Sequence, residues 1–243
     1  MKAIILAAGL GTRLRPLTNE IPKCLVPIGD KPLLWYHISR LHKFGVDNIL
    51  VNTHYLPDKV EDFLKNYQNY DSKGLIIQTS FEIDLLGSAG TLRENKSFFL
   101  QDDIFLVVYG DNLTNIDYKK LIDYHLEKKG ICTIACYEEK NISSKGMVVF
   151  DEDNKITSFV EKPTKEKIIS NYANAGIYVF DKKIFDYLST YTRIPFDIGH
   201  DLFSYNLIEN ENVFAYLMDE YLLDIGTLET YDIANKQISK LIF

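Results

Sequence analysis

Short apolar runs and amphipathic segments alternate along the first half of the chain. Apolar runs bounded by turn residues indicate buried strands, and apolar residues at i, i+3 and i+4 indicate helices that bury one face. The predicted strands are 2–7, 48–53, 74–79, 103–109, 131–137, 145–151, 156–161, 174–180, 212–217 and 220–224. The predicted helices are 32–45, 57–68, 88–97, 117–129, 182–188, 200–209 and 227–241. This order, with consecutive strands from 131 to 180, predicts an α/β fold: a mixed, mainly parallel twisted sheet with helices on both faces and a small antiparallel extension.

The first predicted strand runs directly into a glycine loop that ends in an arginine. Because Gly9 and Gly11 lack a Cβ, the backbone can turn sharply and bring several N–H groups to an anion, and Arg13 adds a forked cation. A dinucleotide-binding fingerprint would need glycine at Leu14, and a Walker loop would need lysine and serine or threonine after Gly11. An ordinary turn between strand and helix is the remaining alternative. The loop predicts a phosphate site for a nucleotide.

Polar residues follow three predicted strands at their carboxyl ends, where a Rossmann-like sheet binds its ligands. The glycine loop follows the first strand, Asp111 follows the apolar run IFLVVYG, and Asp224 lies at the end of EYLLD. Magnesium binds to one or two protein carboxylates together with substrate phosphates. Asp111 is therefore a candidate cation ligand, although an aspartate here can also cap the next turn.

Charge and hydropathy exclude several classes of protein. The formal net charge of −7 argues against a nucleic-acid surface, which requires clustered lysine and arginine. The sequence has no apolar run of about 18 residues and no charged-then-apolar leader, so we expect neither a membrane partner nor secretion, and a cytoplasmic location.

The three cysteines do not form a disulfide framework. Cys132 and Cys136 lie in one predicted strand, where four residues separate them by about 13 Å, too far for a disulfide. We expect buried free thiols.

Residues 1–41, with GLGTRLRPLT and PKCLVPIGDKP, resemble the N-terminal segment of the sugar-1-phosphate nucleotidyltransferases, or nucleotide-sugar pyrophosphorylases. Cys24 replaces a proline of many relatives, but the neighbouring Lys23 is present. The resemblance implies that an NTP and a sugar 1-phosphate give an NDP-sugar and pyrophosphate, with Arg13, Lys23 and Asp111 as catalytic residues. The implied nucleotide-binding residues are Leu6, Ala7, Ala8, Gly9, Gly11, Thr12, Arg13, Lys23, Gly87, Ser88, Ala89, Gly90 and Asp111.

Three later segments, FVEKP, NAGIY and DIGTLETY, are also similar to this family. The resemblance implies that Asp111 and Asp224 hold Mg²⁺ or Mn²⁺. It implies that Glu161 reaches sugar hydroxyls and Lys162 the sugar phosphate. The implied sugar-phosphate residues are Asn112, Glu161, Lys162, Asn174 and Gly176. Taken alone, the same segments are typical of a solvated turn, a glycine bulge and a helix cap.

The segment LGSAGTL indicates which base the bound nucleotide carries. Thymidylyltransferases usually carry a GLAQA-type sequence whose glutamine reads the pyrimidine, whereas LGSAG resembles the LGTAG form of mannose- and heptose-1-phosphate guanylyltransferases. GTP is therefore the favoured nucleotide. The alternatives are a uridylyl- or thymidylyltransferase, a cytidylyltransferase acting on a phosphorylated amine such as phosphocholine, and a non-catalytic regulatory homologue.

With 243 residues, 46% of them hydrophobic, the chain fits one α/β domain or at most two small ones, and we expect a single domain, residues 1–243. Residues 1–130 are expected to form mainly the nucleotide-binding half and residues 131–243 mainly the sugar-phosphate-binding half. We expect no C-terminal domain of hexapeptide repeats. The sequence leaves the oligomeric state open, a homodimer being one alternative.

Overall fold

The computed structural model describes residues 1–71 and 74–241. The chain forms two compact units, both discontinuous in sequence. The first unit comprises Met1–Leu85, Val108–Asp117 and Glu220–Phe243, and the second comprises Leu86–Val107 and Tyr118–Asp219. The single-domain organisation and the division at residue 130 stay predictions.

The described chain contains strands and helices in the following order. The strands are β1 (Lys2–Leu6), β2 (Pro27–Ile28), β3 (Lys31–Pro32), β4 (Asn48–Thr53), β5 (Ile76–Phe81), β6 (Ile104–Tyr109), β7 (Asn112–Thr114), β8 (Cys132–Glu138), β9 (Gly146–Phe150), β10 (Ile156–Glu161), β11 (Tyr172–Asp181), β12 (Val213–Leu217) and β13 (Leu222–Asp224). The α-helices are α1 (Leu33–Lys43), α2 (Pro57–Asp71), α3 (Ser88–Glu94), α4 (Lys96–Phe99), α5 (Tyr118–Lys128), α6 (Ile184–Leu188), α7 (Ile208–Asn210) and α8 (Leu228–Gln237). A π-helix spans Ile198–Leu207.

The first unit is built on the parallel strands β1, β4 and β5. Lys2 pairs with Asn48 and Leu6 with Asn52, and β4 continues the register to β5. The crossover from β1 to β4 contains α1, and that from β4 to β5 contains α2, as parallel strands require. Apolar β1 is buried at Ile4 and Ile5, so its carboxyl end is fixed and carries the glycine loop.

The second unit contains the predicted antiparallel extension. β8 pairs antiparallel with β11 and parallel with β12, and β9 pairs antiparallel with β10 and β11. Phe99, Phe105 and Phe185 stack in its core, with ring centroids 4.3 to 5.8 Å apart. The predicted α/β class, with a mixed sheet and parallel core strands, is confirmed.

Several boundaries differ from the predictions. The helix predicted over 88–97 is interrupted at Asn95, whose side chain donates to Thr91 O at 2.9 Å. The helix predicted over 200–209 is largely the π-helix. Strands β2, β3 and β7 have only two or three residues, too few to show a periodic pattern, and were not predicted.

The cysteine prediction is confirmed, since Cys24, Cys132 and Cys136 are buried and free. Burial raises the pKa of the Cys24 thiol to about 12, so it stays protonated. Over the residues that the structure describes, no helix has the length and apolar character needed to cross a bilayer.

Candidate active site

The glycine loop after β1 is tied to the first unit at both ends. At its start, the Ala7 N–H donates to Asn52 Oδ1 at 2.6 Å. At its end, Gly11 O accepts the hydroxyl of the buried Thr18 at 2.7 Å. The two hydrogen bonds restrict the backbone at the start and at the end of the loop.

Between these anchors the loop retains unused donors. Within residues 1–71 and 74–241, the N–H groups of residues 8–11 have no protein acceptor. Gly11 has a left-handed φ of 63°, and the 3-10 turn Thr12–Leu14 follows it. Successive amides in such a backbone form a concave site for anions, and Arg13 lies exposed in the turn. The loop can therefore offer several amides and a guanidinium to one polyanion.

Gly9 and Gly11 differ in what surrounds the position of a Cβ atom. A Cβ added at Gly11 would lie 3.1 Å from both Lys23 Cβ and Thr18 Cγ2, at a φ that side chains rarely adopt. A Cβ at Gly9 would meet no atom of the described chain within 4 Å. The fold itself requires Gly11, whereas Gly9 borders open space that a ligand can enter.

Lys23 and Asp111 form an ion pair. Lys23 Nζ lies 2.7 Å from Asp111 Oδ2, and Lys23 is only 9% exposed. A buried ammonium has lost water, so a carboxylate in contact is needed to stabilise its charge. The two predicted catalytic residues are thus brought together at the carboxyl end of β6.

The second predicted metal ligand is delivered by strand pairing. In the antiparallel pair β7–β13, Asp224 lies opposite Asn112, and the Ile225 N–H donates to Asp111 O at 2.8 Å. Asp224 therefore lies beside the segment that carries Asp111. Asn112, predicted to bind the sugar phosphate, is a buried residue of β7 in this unit.

Arg13 and Asp224 flank one glycine. A Cβ added at Gly226 would lie 3.0 Å from Asp224 Oδ1 and 3.2 Å from Arg13 Nη2. The cap of α8 is supplied by Thr227, whose hydroxyl accepts the Thr230 N–H at 3.2 Å. Asp224 is therefore not the capping residue, and its carboxylate lies at the strand end with Arg13.

The carboxylates of Asp111 and Asp224 are the two candidate ligands for a cation that binds together with a nucleotide. In the described residues, no group of three or more His, Cys, Asp or Glu is placed to hold a metal ion. Magnesium needs only one or two carboxylates when phosphate oxygens and water complete its shell. Asp111 and Asp224 fit that requirement. His37 adds no charge here, because burial lowers its pKa to about 4 although the Asp111 charge opposes the shift.

In the second unit, the small-residue segment 87–90 is fixed by Phe196. The N–H groups of Ala89 and Gly90 both donate to Phe196 O, at 3.0 and 2.9 Å, and the Phe196 N–H donates to Leu86 O at 2.8 Å. These two amides belong to residues that the resemblance assigns to nucleotide binding, and both are used within the protein. Gly87 O is used as well, since it accepts the Thr91 N–H at 2.8 Å and the Thr91 hydroxyl at 3.0 Å.

Ser88 is also engaged through its side chain. Its hydroxyl donates to Asp197 Oδ2 at 2.7 Å and accepts the Ile198 N–H at 2.8 Å. Asp197 Oδ1 accepts the N–H groups of Gly199 and His200, both at 2.9 Å, and so caps the π-helix. Ser88 therefore fixes the predicted base segment to the start of that helix.

Glu161 and Lys162 lie at the end of β10. A Cβ added at Gly146 or at Gly199 would lie 2.9 Å from Glu161 Oε2, so the carboxylate fits between two residues that lack side chains. Burial raises the pKa of Glu161, and the Asp197 charge adds to the shift. Lys162 is exposed and has a left-handed φ of 49°, which is uncommon for a residue other than glycine. Strained backbone of this kind clusters at functional sites.

Asn174 and Gly176 form a bulge in β11. The register with β8 shifts between Asn174 and Tyr178, and Gly176 has a φ of 68°. The Gly176 N–H donates to Asn174 Oδ1 at 2.9 Å, and Asn174 Nδ2 donates to the Tyr178 hydroxyl at 2.7 Å. The Asn174 amide thus shapes the bulge, and its contact with a sugar stays a prediction.

Residues 2–240 match the family model described as nucleotidyl transferase. The chain belongs to the nucleotidyl transferase family. It is 36% identical over 240 residues to a UTP–glucose-1-phosphate uridylyltransferase of Synechocystis sp., covering 95% of this chain and 61% of that protein. It is 33% identical over 229 residues to a mannose-1-phosphate guanyltransferase of Debaryomyces hansenii, covering 93% of this chain and 61% of that protein. The chain therefore spans about 61% of the length of both curated relatives.

A solved structure agrees with this family assignment. The chain superposes on HddC from Yersinia pseudotuberculosis complexed with GMP-PN with a TM-score of 0.76 and 26% identity, covering 98% of this chain and 99% of that one. Family and fold are thus supported by sequence and by structure independently.

Four residues that hold predicted site residues in place, two in each unit, were not predicted from the sequence. Asn52 lies near the end of β4, and Glu82 follows β5 directly. Asp197 accepts a hydrogen bond from Ser88, and Gly146 leaves space for Glu161 Oε2. A signal existed for Asn52, because a polar residue that closes an apolar run was the feature that identified Asp111, whereas Glu82 follows the partly polar segment QTSF. For Asp197 and Gly146, no local pattern distinguishes them from ordinary loop and strand residues.

Proposed function

We propose that this nucleotidyl transferase forms an NDP-sugar and pyrophosphate from an NTP and a sugar 1-phosphate, with GTP as the nucleotide and a mannose- or heptose-type sugar 1-phosphate as the acceptor. One observation carries the proposal. The first unit combines a loop with unused amides, the cations Arg13 and Lys23, and the paired strand ends of Asp111 and Asp224. That combination suits a triphosphate bound together with a divalent cation.

The chemistry requires positioning and charge neutralisation. An oxygen of the sugar phosphate attacks the α-phosphorus, the new oxygen–phosphorus bond forms, and the bond to the β-phosphate oxygen breaks to release pyrophosphate. The attacking phosphate is already an anion, so no general base is needed. Loop amides, Arg13 and Lys23 hold the phosphates and offset the growing negative charge. Magnesium, or manganese, on Asp111 and Asp224 would add positive charge against the same oxygens.

Four of the five proposed acceptor residues, Glu161, Lys162, Asn174 and Gly176, belong to the second unit, and Asn112 belongs to the first. Lys162 is assigned to the sugar phosphate and Glu161 to the sugar hydroxyls, with Asn174, Gly176 and Asn112 as further contacts. Burial raises the pKa of Glu161, and hydrogen bonds that its carboxylate accepts from hydroxyl groups are stronger where water is partly excluded.

Two bases have support. GTP is favoured because 87–90 lacks the glutamine of the thymidylyl pattern and because HddC, 26% identical, was solved with GMP-PN. UTP with glucose 1-phosphate is the second candidate, because the Synechocystis relative of that name is 36% identical.

The test is pyrophosphate release for each of GTP, UTP, CTP, dTTP and ATP with a panel of sugar 1-phosphates and phosphocholine. We expect kcat/KM for GTP to exceed that for every other nucleotide by about 100-fold or more, since a site that pairs with one base leaves its own groups unpaired with another. Reactions without acceptor control for hydrolysis, and mass spectrometry identifies the product. If UTP equals or exceeds GTP, the guanylyl assignment is wrong. If no pair releases pyrophosphate, the transferase proposal is wrong.

A pair of glycine variants tests the nucleotide loop. Gly9→Ala should leave the melting temperature unchanged, because its Cβ meets no described protein atom, yet raise the KM for NTP about tenfold by occupying ligand space. Gly11→Ala should lower the free energy of unfolding by about 1 kcal/mol or more, since its φ is left-handed. Thermal melts and steady-state kinetics measure both. A Gly9→Ala enzyme with normal KM for NTP would place the phosphates elsewhere.

A further inference from the structure

We propose that Asn52 and Glu82 are positioning residues that set the start of the nucleotide loop through a buried polar relay. This inference rests on the proposed function, because the loop matters only if it binds the nucleotide. Neither residue needs to touch substrate. Their action is through the backbone of Ala7.

The relay runs across three neighbouring parallel strands. The Ala7 N–H donates to Asn52 Oδ1 at 2.6 Å, and Asn52 Nδ2 donates to Glu82 Oε1 at 2.8 Å. Leu6 pairs with Asn52 in the sheet register, and Asn52 pairs in turn with Ser80. The relay therefore follows the carboxyl edge of β1, β4 and β5 and ends on the first residue of the loop.

Hydrogen-bond chemistry allows only one orientation of this relay. A backbone N–H can only donate and a carboxylate can only accept, so Asn52 must turn its oxygen to Ala7 and its nitrogen to Glu82. Glu82 is itself held: its N–H donates to Thr53 O at 2.8 Å, and its carbonyl accepts from His54 Nδ1 at 2.9 Å. The carboxylate thus fixes which atom of the Asn52 side chain faces the loop.

Asn52 and Glu82 are both buried, and this burial is more than the Ala7 N–H needs in order to find an acceptor. Asn52 is 4% exposed and Glu82 is 3% exposed. Burying the Glu82 carboxylate costs free energy, and the neutral amide of Asn52 could accept the Ala7 N–H without it. What the carboxylate adds is a rigid amide orientation. Asn52 fixes the start of the nucleotide loop, and Thr18 holds its end at Gly11. Together they keep the unused amides of residues 8–11 in place before the nucleotide arrives.

An exchange of the two polar groups tests the relay. Asn52→Asp puts two carboxylates together and removes the donor to Glu82. The double variant Asn52→Asp/Glu82→Gln restores one amide and one carboxylate in swapped order. Asn48→Asp, which adds the same charge at the other end of β4, is the matched control.

We expect Asn52→Asp to raise the KM for NTP about tenfold or more while the KM for sugar 1-phosphate changes less than about twofold, with the double variant recovering most of the loss. Exchange of the Ala7 amide, measured by NMR without nucleotide, should accelerate in Asn52→Asp and slow again in the double variant. Equal rises of both KM values, or a double variant no better than Asn52→Asp, would overturn the relay.

Calorimetric affinity for a non-hydrolysable NTP and the Ala7 exchange rate need no turnover. If wild type makes no NDP-sugar but these two readouts follow the pattern, the proposed reaction fails and the relay stands.

Discussion

Replacing Asp111 by asparagine is expected to lower kcat for nucleotidyl transfer by about 1000-fold. The carboxylate holds the Lys23 ammonium at 2.7 Å and is one of two candidate cation ligands at the paired strand ends. Asparagine has nearly the same shape and retains an oxygen for Lys23, so the change removes charge with little effect on packing. Steady-state kinetics at saturating Mg²⁺, with thermal melts to check the fold, measure the result.

The control for this variant is Asp103→Asn. Asp103 and Lys182 form an ion pair of the same length, 2.7 Å, on the surface of the second unit. Losing an exposed pair of this kind has little effect on stability or activity. Asp224→Asn should resemble Asp111→Asn, and excess chelator should abolish wild-type activity. An Asp111→Asn enzyme within tenfold of the wild-type kcat would exclude an essential function for this carboxylate.

The parts of the site that depend on short-range spacing could be predicted from the sequence. Gly9, Gly11 and Arg13 are close together in the chain, so the strand before them and the missing Cβ atoms were enough to indicate an anion-binding loop. The helix cap that DIGTLETY indicates is local for the same reason, and Thr227 supplies it. Alternating apolar and amphipathic segments likewise predicted the α/β class, because each strand and helix shows its own period.

Contacts between distant segments could not be predicted in the same way. The Lys23–Asp111 pair and the β7–β13 pairing join residues far apart in sequence, and β7 is too short to produce a pattern. Family resemblance assigned these residues to one site, but only the coordinates give the contacts. Asn52 and Glu82 show the limit: Asn52 closes an apolar run in the sequence, but the hydrogen bonds that join it to Ala7 and to Glu82 appear only in the coordinates.

The base segment shows a second limit. In the sequence, the family resemblance assigned all of residues 87–90 to nucleotide binding. In the structure, Phe196 O accepts the N–H groups of two of them, Ala89 and Gly90. Because Phe196 is remote in the chain, no feature of LGSAGTL reports this use, and the contact of residues 87–90 with a base stays a prediction.

That contact leads to the largest expected effect on stability: Gly87→Ala should lower the free energy of unfolding by more than about 3 kcal/mol. A Cβ at Gly87 would lie 2.5 Å from Phe196 O and 2.7 Å from Phe196 N, both backbone atoms that cannot move aside alone. The Gly87 backbone, with φ 79° and ψ 159°, is in a region that essentially only glycine occupies. Steric overlap and backbone strain therefore act together.

Gly45→Ala separates the two effects. Gly45 has the same φ of 79°, at the end of α1, but a Cβ there would meet nothing within 4 Å in the described chain. Its replacement should cost about 1 kcal/mol, the strain of a left-handed alanine without overlap. Urea unfolding followed by circular dichroism measures both variants. A Gly87→Ala loss no larger than that of Gly45→Ala would mean that the Phe196 segment does not pack on the base segment, and the amides of Ala89 and Gly90 would again be available to a nucleotide.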